Sequence, residues 1–356
     1  MDSTARKGDG DMQSRTVAVT IPAHNEGDHI AACLVALSRL KTDQRVRKLN
    51  ISVLANNCHD ATADIVTNFG AKNDHISVTR VTLPIEQANA GWARRLAFDT
   101  GLELLRDDGD VLFSTDADTC VSEDWLISTL DHLDEGYDAV AGFAWLNPAE
   151  VKFLPPTVRA RFAAVRRYEN ALRVLKFKLG CDEPWPTHFY EGGASIAVTA
   201  RAYRAIGGAP TPPVSEDKAL FAALRAKAFR IRHARDVKVY TSCRFDGRAP
   251  GGAADTLAEW AVQSAEDPVW GVSRLDCVIT GKQPMEPITF AELDRETARA
   301  RSYVKQLRQT RPDKAITLLS KLTRDAGPIC SESWAVKADP SSPTPPAGTP
   351  LSPFVA

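Results

Sequence analysis

The sequence predicts an α/β fold, in which a mostly parallel central sheet is flanked by helices on both faces. Short β-prone runs alternate with segments of helical period between residues 16 and 150. The connections between these segments are short, as in parallel βαβ units. Polar clusters follow three of the predicted strands, and ligands bind at the carboxyl ends of strands in such sheets. We therefore expect a ligand site along one edge of the sheet.

The predicted strands of the first half are residues 17–21, 51–55, 76–81, 111–115 and 138–142. A helix is expected from Asp28, because Ile30, Cys33, Leu34, Leu37 and Leu40 form one apolar stripe. Further helices are expected at 60–69, at 89–106 with Trp92, Leu96 and Leu104 facing inward, and at 125–133 after Ser122 as N-cap. Pro22 is expected to stop the first strand.

The second half is less regular. A long basic helix is predicted at 155–180, an apolar run at 195–198, and helices at 201–206 and 218–227 with Ser215 as N-cap. Short strands are expected at 229–233 and 237–241, then a basic Gly-rich loop at 241–252 and mostly helical segments at 255–265 and 290–324. The predicted division is a disordered stretch at 1–15, two halves of one domain at 16–150 and 151–253, a helical C-terminal extension at 254–335 and a disordered tail at 336–356.

Composition excludes several classes of protein. The chain has 356 residues, 44% of them hydrophobic and 25% charged, with a net charge of −1, so no general attraction to nucleic acid is expected. Its seven cysteines are scattered without a C-x-x-C pair, which argues against a zinc knuckle or a disulfide framework and suits a reducing cytoplasm. No signal peptide and no apolar run of about 20 residues is recognised, so a cytoplasmic protein without a transmembrane segment is expected.

The basic helix at 155–180 has two interpretations. Its seven arginines and lysines could face an anionic acceptor or a lipid surface, which leaves peripheral membrane contact open. A charge run is more often a solvated face, and this second interpretation is favoured here.

Two carboxylates, Asp116 and Asp118, follow the predicted strand at 111–115. Side chains alternate along an extended chain, so both point the same way and repel each other. A divalent cation that bridges to a bound phosphate would relieve this repulsion, and oxygen ligands suit Mg²⁺ or Mn²⁺. Alternatively, both are ordinary turn residues, because Asp favours turns.

The order of the motifs resembles that of a nucleotide-sugar-dependent glycosyltransferase of family 2, with the GT-A fold. The resemblance covers about residues 16–252. The motifs that carry it are Ile21-Pro22-Ala23-His24-Asn25-Glu26, Asn56-Asn57-Cys58-His59-Asp60-Ala61-Thr62, Gly91-Trp92-Ala93-Arg94-Arg95, Asp116-Ala117-Asp118, Glu191-Gly192-Gly193 and Ser215-Glu216-Asp217. Each is weak by itself, and their order and spacing make the likeness specific.

The resemblance implies a donor site for a UDP- or GDP-sugar. Its residues would be Pro22, Ala23 and Glu26 after the first strand, Asn56 after the second, Arg94 and Arg95 near the diphosphate, Asp116 on the nucleotide and Asp118 on a Mg²⁺ or Mn²⁺ ion. Asn56 stands where many relatives carry Asp, which leaves the base open. Glu26 and Asp60 have a second interpretation as helix-terminus residues, and one of the two arginines is expected to be a solvated helix residue.

The resemblance also implies the chemistry. Asp217 would be the general base that deprotonates an acceptor hydroxyl of unknown identity, in one displacement with inversion, and Glu216 would orient the acceptor or contact the sugar. Both acids could instead only favour a helix N-terminus. Glu191, Gly192 and Gly193 would form an acceptor-side loop, while Arg244 and Arg248 would clamp the diphosphate from a lid or belong to a structural loop. His233 is considered as a further metal ligand, although a structural role is favoured.

The sequence is also compatible with three other functions. A retaining transferase or a sugar-nucleotide nucleotidyltransferase would use the same fold, but the latter usually has a Gly-rich, basic loop after the first strand. A nucleotide-binding protein without catalysis is a third possibility, which the acids at 116, 118 and 217 argue against.

Overall fold

A computed structural model describes residues 14–180, 183–280 and 286–309. Their eight strands form one sheet: β1 (Arg15–Ala23), β2 (Val46–Asn56), β3 (Ile76–Val81), β4 (Val111–Ser114), β5 (Thr119–Val121), β6 (Ala139–Leu146), β7 (Ile196–Thr199) and β8 (Ile231–Thr241). The order across the sheet is β3-β2-β1-β4-β7-β6-β8-β5. Six of these eight described strands point the same way, and only β5 and β7 run antiparallel to their neighbours. The predicted α/β class with a mostly parallel sheet is confirmed.

The predicted helices occur in the predicted order with ends that differ by a few residues, and the short helices at 148–151 and 275–280 were not predicted. The described helices are α1 (Ile30–Leu37), α2 (Thr62–Gly70), α3 (Ala90–Leu102), α4 (Trp125–Asp134), α5 (Pro148–Val151), α6 (Pro156–Lys178), α7 (Ala200–Ala205), α8 (Glu216–Ala226), α9 (Ala253–Val262), α10 (Leu275–Thr280) and α11 (Leu293–Gln309). Short 3₁₀ turns occupy Ile85–Gln87 and Phe290–Glu292. The disordered stretches predicted at 1–13 and 336–356, and the helical stretch beyond 309, lie outside the described residues.

Helices cover both faces of the sheet. One buried apolar cluster joins the sheet to α1, α2 and α4, and contains Trp125. A second cluster on the opposite face joins it to α3, α7 and α8, and contains Phe98. A third cluster around Tyr168 packs α6 against α9, α10 and α11, so the C-terminal helices have an apolar core of their own.

The first strand continues through Pro22, where the sequence predicted a stop. Pro22 pairs with Leu54 of β2, but β4 pairs only with Val17 to Thr20 of β1. A proline is tolerated in a strand where its missing N–H is not required for pairing. The strand therefore extends to Ala23 and carries the following loop to the edge of the sheet.

Several local predictions are wrong. The strands expected at 229–233 and 237–241 are one strand, β8, whose register against β6 jumps from Ala234 to Lys238. Ser122 is not the N-cap of α4, which begins after Asp124, and Ser122 contributes only its carbonyl to Trp125. Ser215 does occupy the N-cap position of α8, as predicted, with φ +58°, but its side chain does not cap the helix. Residues 14 and 15 are ordered, since Arg15 begins β1.

The basic helix α6 is not simply a solvated face. The guanidinium of Arg161 donates to the carbonyls of Trp260 and Gln263, the latter at 2.6 Å. Arg166 donates to the carbonyl of Ala144 at 3.1 Å. These arginines tie the helix to β6 and α9, so the favoured interpretation is wrong for them. Among the helices that the structure describes, none combines the length and apolarity needed to cross a membrane.

Candidate active site

Asp116 and Asp118 lie in a tight turn between β4 and β5. The amide of Thr119 donates to the carbonyl of Asp116 at 3.1 Å, so both residues are turn residues, as one interpretation required. The turn also concentrates charge. Burial, together with the charges of Asp116 and Glu26, raises the pKa of Asp118 to about 7, and Arg244 opposes this shift. The turn therefore holds more negative charge than its surroundings neutralise.

Arg94 connects this turn to the start of α8. Its Nη2 lies 2.8 Å from Asp116 Oδ1 and its Nε lies 3.0 Å from Glu216 Oε1. Its Nη1 donates to Ser114 Oγ at 2.9 Å and to the Gly193 carbonyl at 3.2 Å. Burial alone would lower the pKa of Arg94, but Asp116 and Glu216 outweigh it and raise the pKa. We call Arg94, Asp116, Gly193 and Glu216 the Arg94 cluster.

Gly193 reaches the cluster through its backbone. Its amide donates to Asp217 Oδ2 at 2.9 Å while its carbonyl accepts from Arg94. A Cβ at this position would lie 2.0 Å from Arg94 Nη2, and one at Gly192 would lie 1.9 Å from the hydroxyl of Tyr190. The two glycines are therefore required for close backbone approach.

Asp217 lies in the first turn of α8, as both of its predicted roles require. Its Oδ1 accepts from the amide of Lys218 at 2.7 Å. Burial, followed by the neighbouring charge of Glu216, raises the pKa of Asp217 well above that of an ordinary carboxylate, against the influence of Arg94. A carboxylate with a raised pKa is a stronger proton acceptor at neutral pH, which suits a general base.

Arg244 joins the loop after β1 to the turn after β4. Its Nη1 and Nη2 each lie 2.7 Å from an oxygen of Glu26, and Nη2 lies 3.0 Å from Asp118 Oδ2. The Nε of Arg248 donates to the carbonyl of Asn25 at 3.0 Å. The loop 244–252 therefore lies across the carboxyl ends of β1 and β4, where a lid would lie.

The loops after β1 and β2 hold each other. The amide of Glu26 donates to Thr62 Oγ1 and that of Gly27 to Asp60 Oδ2, both at 2.8 Å. Asp60 also accepts from the amide of Thr62 at 3.0 Å, which favours its helix-terminus role over a ligand role. Asn56 is buried at the end of β2, and Pro22 and Ala23 end β1 beside it. The structure thus brings the predicted donor residues of the two strands together.

A family model, Glycosyl transferase family 2, matches residues 18–197, just over half of the 356 residues. The chain belongs to glycosyl transferase family 2. The predicted resemblance is thereby confirmed. Probable glycosyltransferase YdaM of Bacillus subtilis (strain 168) is 37% identical over 102 residues, which are 29% of this chain and 22% of that protein. The chain thus aligns with less than a quarter of that relative's length.

Two similar solved structures are complexes with nucleotide sugars. Mannosyltransferase PcManGT from Pyrobaculum calidifontis, in complex with GDP-Man and Mn²⁺, has a TM-score of 0.49 at 19% identity, with 87% of this chain and 80% of that chain covered. TarS of S. aureus in complex with UDP-GlcNAc has a TM-score of 0.44 at 12% identity, with coverages of 86% and 80%. At these scores neither likeness decides what the present family 2 member binds.

Two predicted site residues of this family 2 chain, Arg95 and Glu191, make contacts outside the Arg94 cluster. Arg95 donates to Asp99 at 2.6 Å and to the Ala209 carbonyl at 3.0 Å, so the structure does not bring it to the Arg94 cluster. Glu191 is buried and pairs with Arg225, and its Oε1 lies 3.0 Å from His233 Nε2. These contacts anchor the loop at 191–193, which was predicted for the acceptor side, and keep Glu191 buried.

His233 has the structural role that the sequence favoured. Its Nδ1 lies 3.0 Å from Glu183 and its Nε2 faces Glu191, which together outweigh burial and raise the pKa of His233 to about 9. A protonated imidazole is not a metal ligand. Across the described ranges, no group of three or more His, Cys, Asp or Glu residues is arranged to hold a metal alone.

Two site residues escaped the sequence analysis. Ser114 receives a hydrogen bond from Arg94, and Tyr190 lies over Gly192 beside Asp217. Their positions carried a weak signal, because one precedes Asp116 by two residues and the other precedes the Glu-Gly-Gly motif.

Proposed function

We propose that this family 2 member transfers a sugar from a UDP- or GDP-sugar to an acceptor hydroxyl, with inversion at the anomeric carbon. One observation carries the proposal. Arg94 binds the strand-end acid Asp116 through one nitrogen and, through two others, Glu216 and the Gly193 carbonyl, while the Gly193 amide holds Asp217. A single buried guanidinium thus links the acid proposed for the nucleotide to the acid proposed as base.

The donor would lie along the carboxyl ends of β1, β2 and β4. Glu26 and Asp116 would accept hydrogen bonds from the nucleoside, and Asn56 would offer both a donor and an acceptor to the base. Arg244 would move from Glu26 and Asp118 to the diphosphate once the donor is bound, because a guanidinium fork matches phosphate oxygens. Arg248 would hold the loop that carries it. A role of Arg95 at the diphosphate remains only a prediction.

A divalent ion, Mg²⁺ or Mn²⁺, fits the residues present. The buried Asp118 has its pKa raised by burial and by two neighbouring carboxylates, so the turn favours an added positive charge. Asp118 would hold the ion, and the donor diphosphate and water would complete its oxygen ligands. Bound there, the ion would neutralise charge that develops on the departing diphosphate.

Asp217 would take the proton of the acceptor hydroxyl as that oxygen attacks the anomeric carbon. The new C–O bond forms while the bond between the sugar and the diphosphate breaks, and the electron pair leaves with the nucleoside diphosphate. Attack opposite to the leaving group inverts the anomeric centre. Glu216 would act by positioning, because its carboxylate is bound to Arg94 and not exposed to an acceptor.

The deciding experiment incubates the protein with UDP-, GDP- and dTDP-sugars, with and without Mn²⁺, and identifies the products. Release of a nucleoside diphosphate together with a sugar of inverted configuration is expected. Pyrophosphate release would indicate a nucleotidyltransferase and a retained anomer a retaining enzyme. Donor binding without turnover by any acceptor or by water would indicate a non-catalytic nucleotide-binding protein.

A further inference from the structure

Three guanidinium groups of the described residues surround the ring of Phe143. The guanidinium carbons of Arg166, Arg173 and Arg235 lie 4.9, 5.3 and 5.4 Å from the ring centroid. Two arginines come from α6 and the third from the irregular register of β8. We call these three residues the arginine cluster. A ring face attracts cations, but this attraction does not remove the repulsion among them.

The arginine cluster has too little negative charge. Glu169 pairs with Arg166 at 3.2 Å. Arg173 and Arg235 instead share the neutral Oδ1 of Asn170, at 3.5 and 2.9 Å. No carboxylate of the described residues forms an ion pair with either of these two arginines. Three cations and one carboxylate leave an excess of two positive charges.

Arg173 is the most deeply buried arginine of the cluster. Its exposed fraction is 4%, and its Nε is buried without a hydrogen-bond partner in the described part of the chain. Burial, then Arg235 and Arg166, lowers its pKa to about 10 against the opposing charge of Glu169, so Arg173 is still charged at neutral pH. A buried charge that shares one carboxylate with a second arginine is only partly compensated and is unfavourable, which favours a binding role for it.

The cluster lies next to the proposed acceptor side of the site. The Phe143 ring contacts His188 edge-on at 5.1 Å between centroids. The amide of Tyr190 donates to His188 Nδ1 at 3.0 Å. The hydroxyl of Tyr190 lies against Gly192, and the amide of the next residue, Gly193, donates to Asp217. An acceptor that reaches Asp217 with its hydroxyl would therefore extend past Tyr190 towards the arginines.

We propose that the arginine cluster binds a phosphate monoester carried by the acceptor. The dianion of a monoester matches the excess of two charges, whereas a single carboxylate would leave one uncompensated. Guanidinium forks also match the oxygens of phosphate in geometry. This inference names the acceptor class of the proposed transferase and rests on that function. The monoester is either a soluble metabolite or the headgroup of a lipid, and the chemistry of recognition is the same.

The first test measures binding of inorganic phosphate by thermal shift, with a nucleoside diphosphate and Mn²⁺ present to occupy the donor side. Phosphate is expected to raise the Tm of the wild type beyond a sodium chloride control of equal ionic strength. R173M and R235Q are expected to abolish that rise. R167Q is the matched control, because Arg167 lies on the same helix with its side chain 47% exposed and paired with Asp294. An unchanged rise in both R173M and R235Q would overturn the proposal.

The Tm without phosphate separates binding from a structural role. Replacing an uncompensated buried cation by an apolar residue of similar length is expected to leave the Tm unchanged or to raise it. If R173M lowered the Tm and R235Q kept the full phosphate effect, Arg173 would be structural and the proposal wrong. R235Q keeps the test open if R173M does not fold, because Arg235 is only half-buried.

The second test compares acceptors. Transfer to glycerol 3-phosphate is expected to exceed transfer to glycerol if the monoester is soluble. If it is lipid-borne, transfer to the free hydroxyl of lysophosphatidic acid in phosphatidylcholine vesicles is expected to exceed transfer to monoacylglycerol in the same vesicles. R173M and R235Q are expected to reduce the preference for the phosphorylated acceptor at least tenfold. Hydrolysis of the donor by water is expected to continue in both variants. Continued hydrolysis with no preference for either phosphorylated acceptor would overturn this inference alone, and absence of hydrolysis and transfer would overturn the proposed function.

Discussion

Arg244 and Glu26 are 218 residues apart in the chain, and both terminal nitrogens of the arginine lie 2.7 Å from the two oxygens of the glutamate. The same guanidinium contacts Asp118. The loop after β8 is thus held against the loop after β1, across the turn where a metal and a diphosphate would bind. At this turn, Arg244 supplies the positive charge that a metal ion bound with the donor would otherwise supply.

Replacing Arg244 by Gln is expected to weaken donor binding. Charge-assisted hydrogen bonds contribute about 1.5–3 kcal/mol each, so the KM for the donor is expected to rise roughly tenfold to hundredfold. R248Q is the control, because Arg248 is more exposed and binds a backbone carbonyl and its neighbour Asp246. Steady-state kinetics at varied donor concentration measures both. Equal effects of the two variants would count against a clamp at Arg244.

Asp217→Asn is expected to lower kcat by roughly 10²–10⁴-fold, the usual contribution of a general base. The amide oxygen can still accept from Gly193, so the donor Kd is expected to change little. Glu216→Gln should behave differently, because Glu216 holds Arg94 and its loss disturbs the donor side too. Single-turnover rates and donor titrations separate the two residues. Undiminished transfer by D217N would rule out Asp217 as the base.

The pH profile of kcat should reveal the raised pKa of Asp217. A base works only when deprotonated, so activity is expected to fall on acidification at a pH well above the range of an ordinary carboxylate. Glu216 is the second cause of the raised pKa, after burial. In E216Q the acidic limb is therefore expected to move to lower pH. A limb at the same pH in both proteins would contradict this account.

His233 should make stability depend on pH on the alkaline side. Its pKa of about 9 in the folded protein exceeds the value of about 6.5 expected when unfolded. The protonated imidazole therefore stabilises the fold fully below about pH 6.5, and this contribution disappears as the pH rises through about 9. The charges facing it come from Glu183, Glu191 and the nearby arginines Arg225 and Arg232.

The measurement compares H233Q with the wild type in urea unfolding between pH 6 and 10. The difference in unfolding free energy is expected to be on the order of 3 kcal/mol at the acidic end and to shrink as the pH rises. H75Q is the control, since His75 is near the surface and its nearest acid, Asp74, is 3.8 Å away. A difference for H233Q that is constant across the range would show that the imidazole charge is not what stabilises this region.

The predicted strands and the polar residues at their ends were recognisable from the sequence, because alternation and turn chemistry are local. The orientation of α3 was not. Apolar spacing predicted that Trp92, Leu96 and Leu104 face inward, but Leu104 is 42% exposed. The residues of α3 that are buried are instead Gly91, Ala93, Arg94, Ala97, Phe98 and Gly101. The helix approaches the sheet closely: a Cβ at Gly101 would lie 2.5 Å from Thr20 Cγ2.

That close approach is also why the role of Arg94 was not fully predicted. A helix so near the sheet turns Arg94 into the interior, where its partner Glu216 is 122 residues away. No local pattern encodes such a pair. Likewise, the very short β5 and the register jump in β8 depend on pairing between distant strands.

The position of Gly193 has a consequence for how the two substrates affect each other's affinity. Its peptide is bonded on one side to Asp217 and on the other to Arg94, which holds Asp116. A nucleotide that fixes the position of the Asp116 side chain would also fix that of Asp217 through these three hydrogen bonds. By thermodynamic reciprocity, an acceptor that binds Asp217 would tighten the donor by the same factor. The transferase should accordingly show positive coupling between its two substrates, and Gly193→Ala should abolish it.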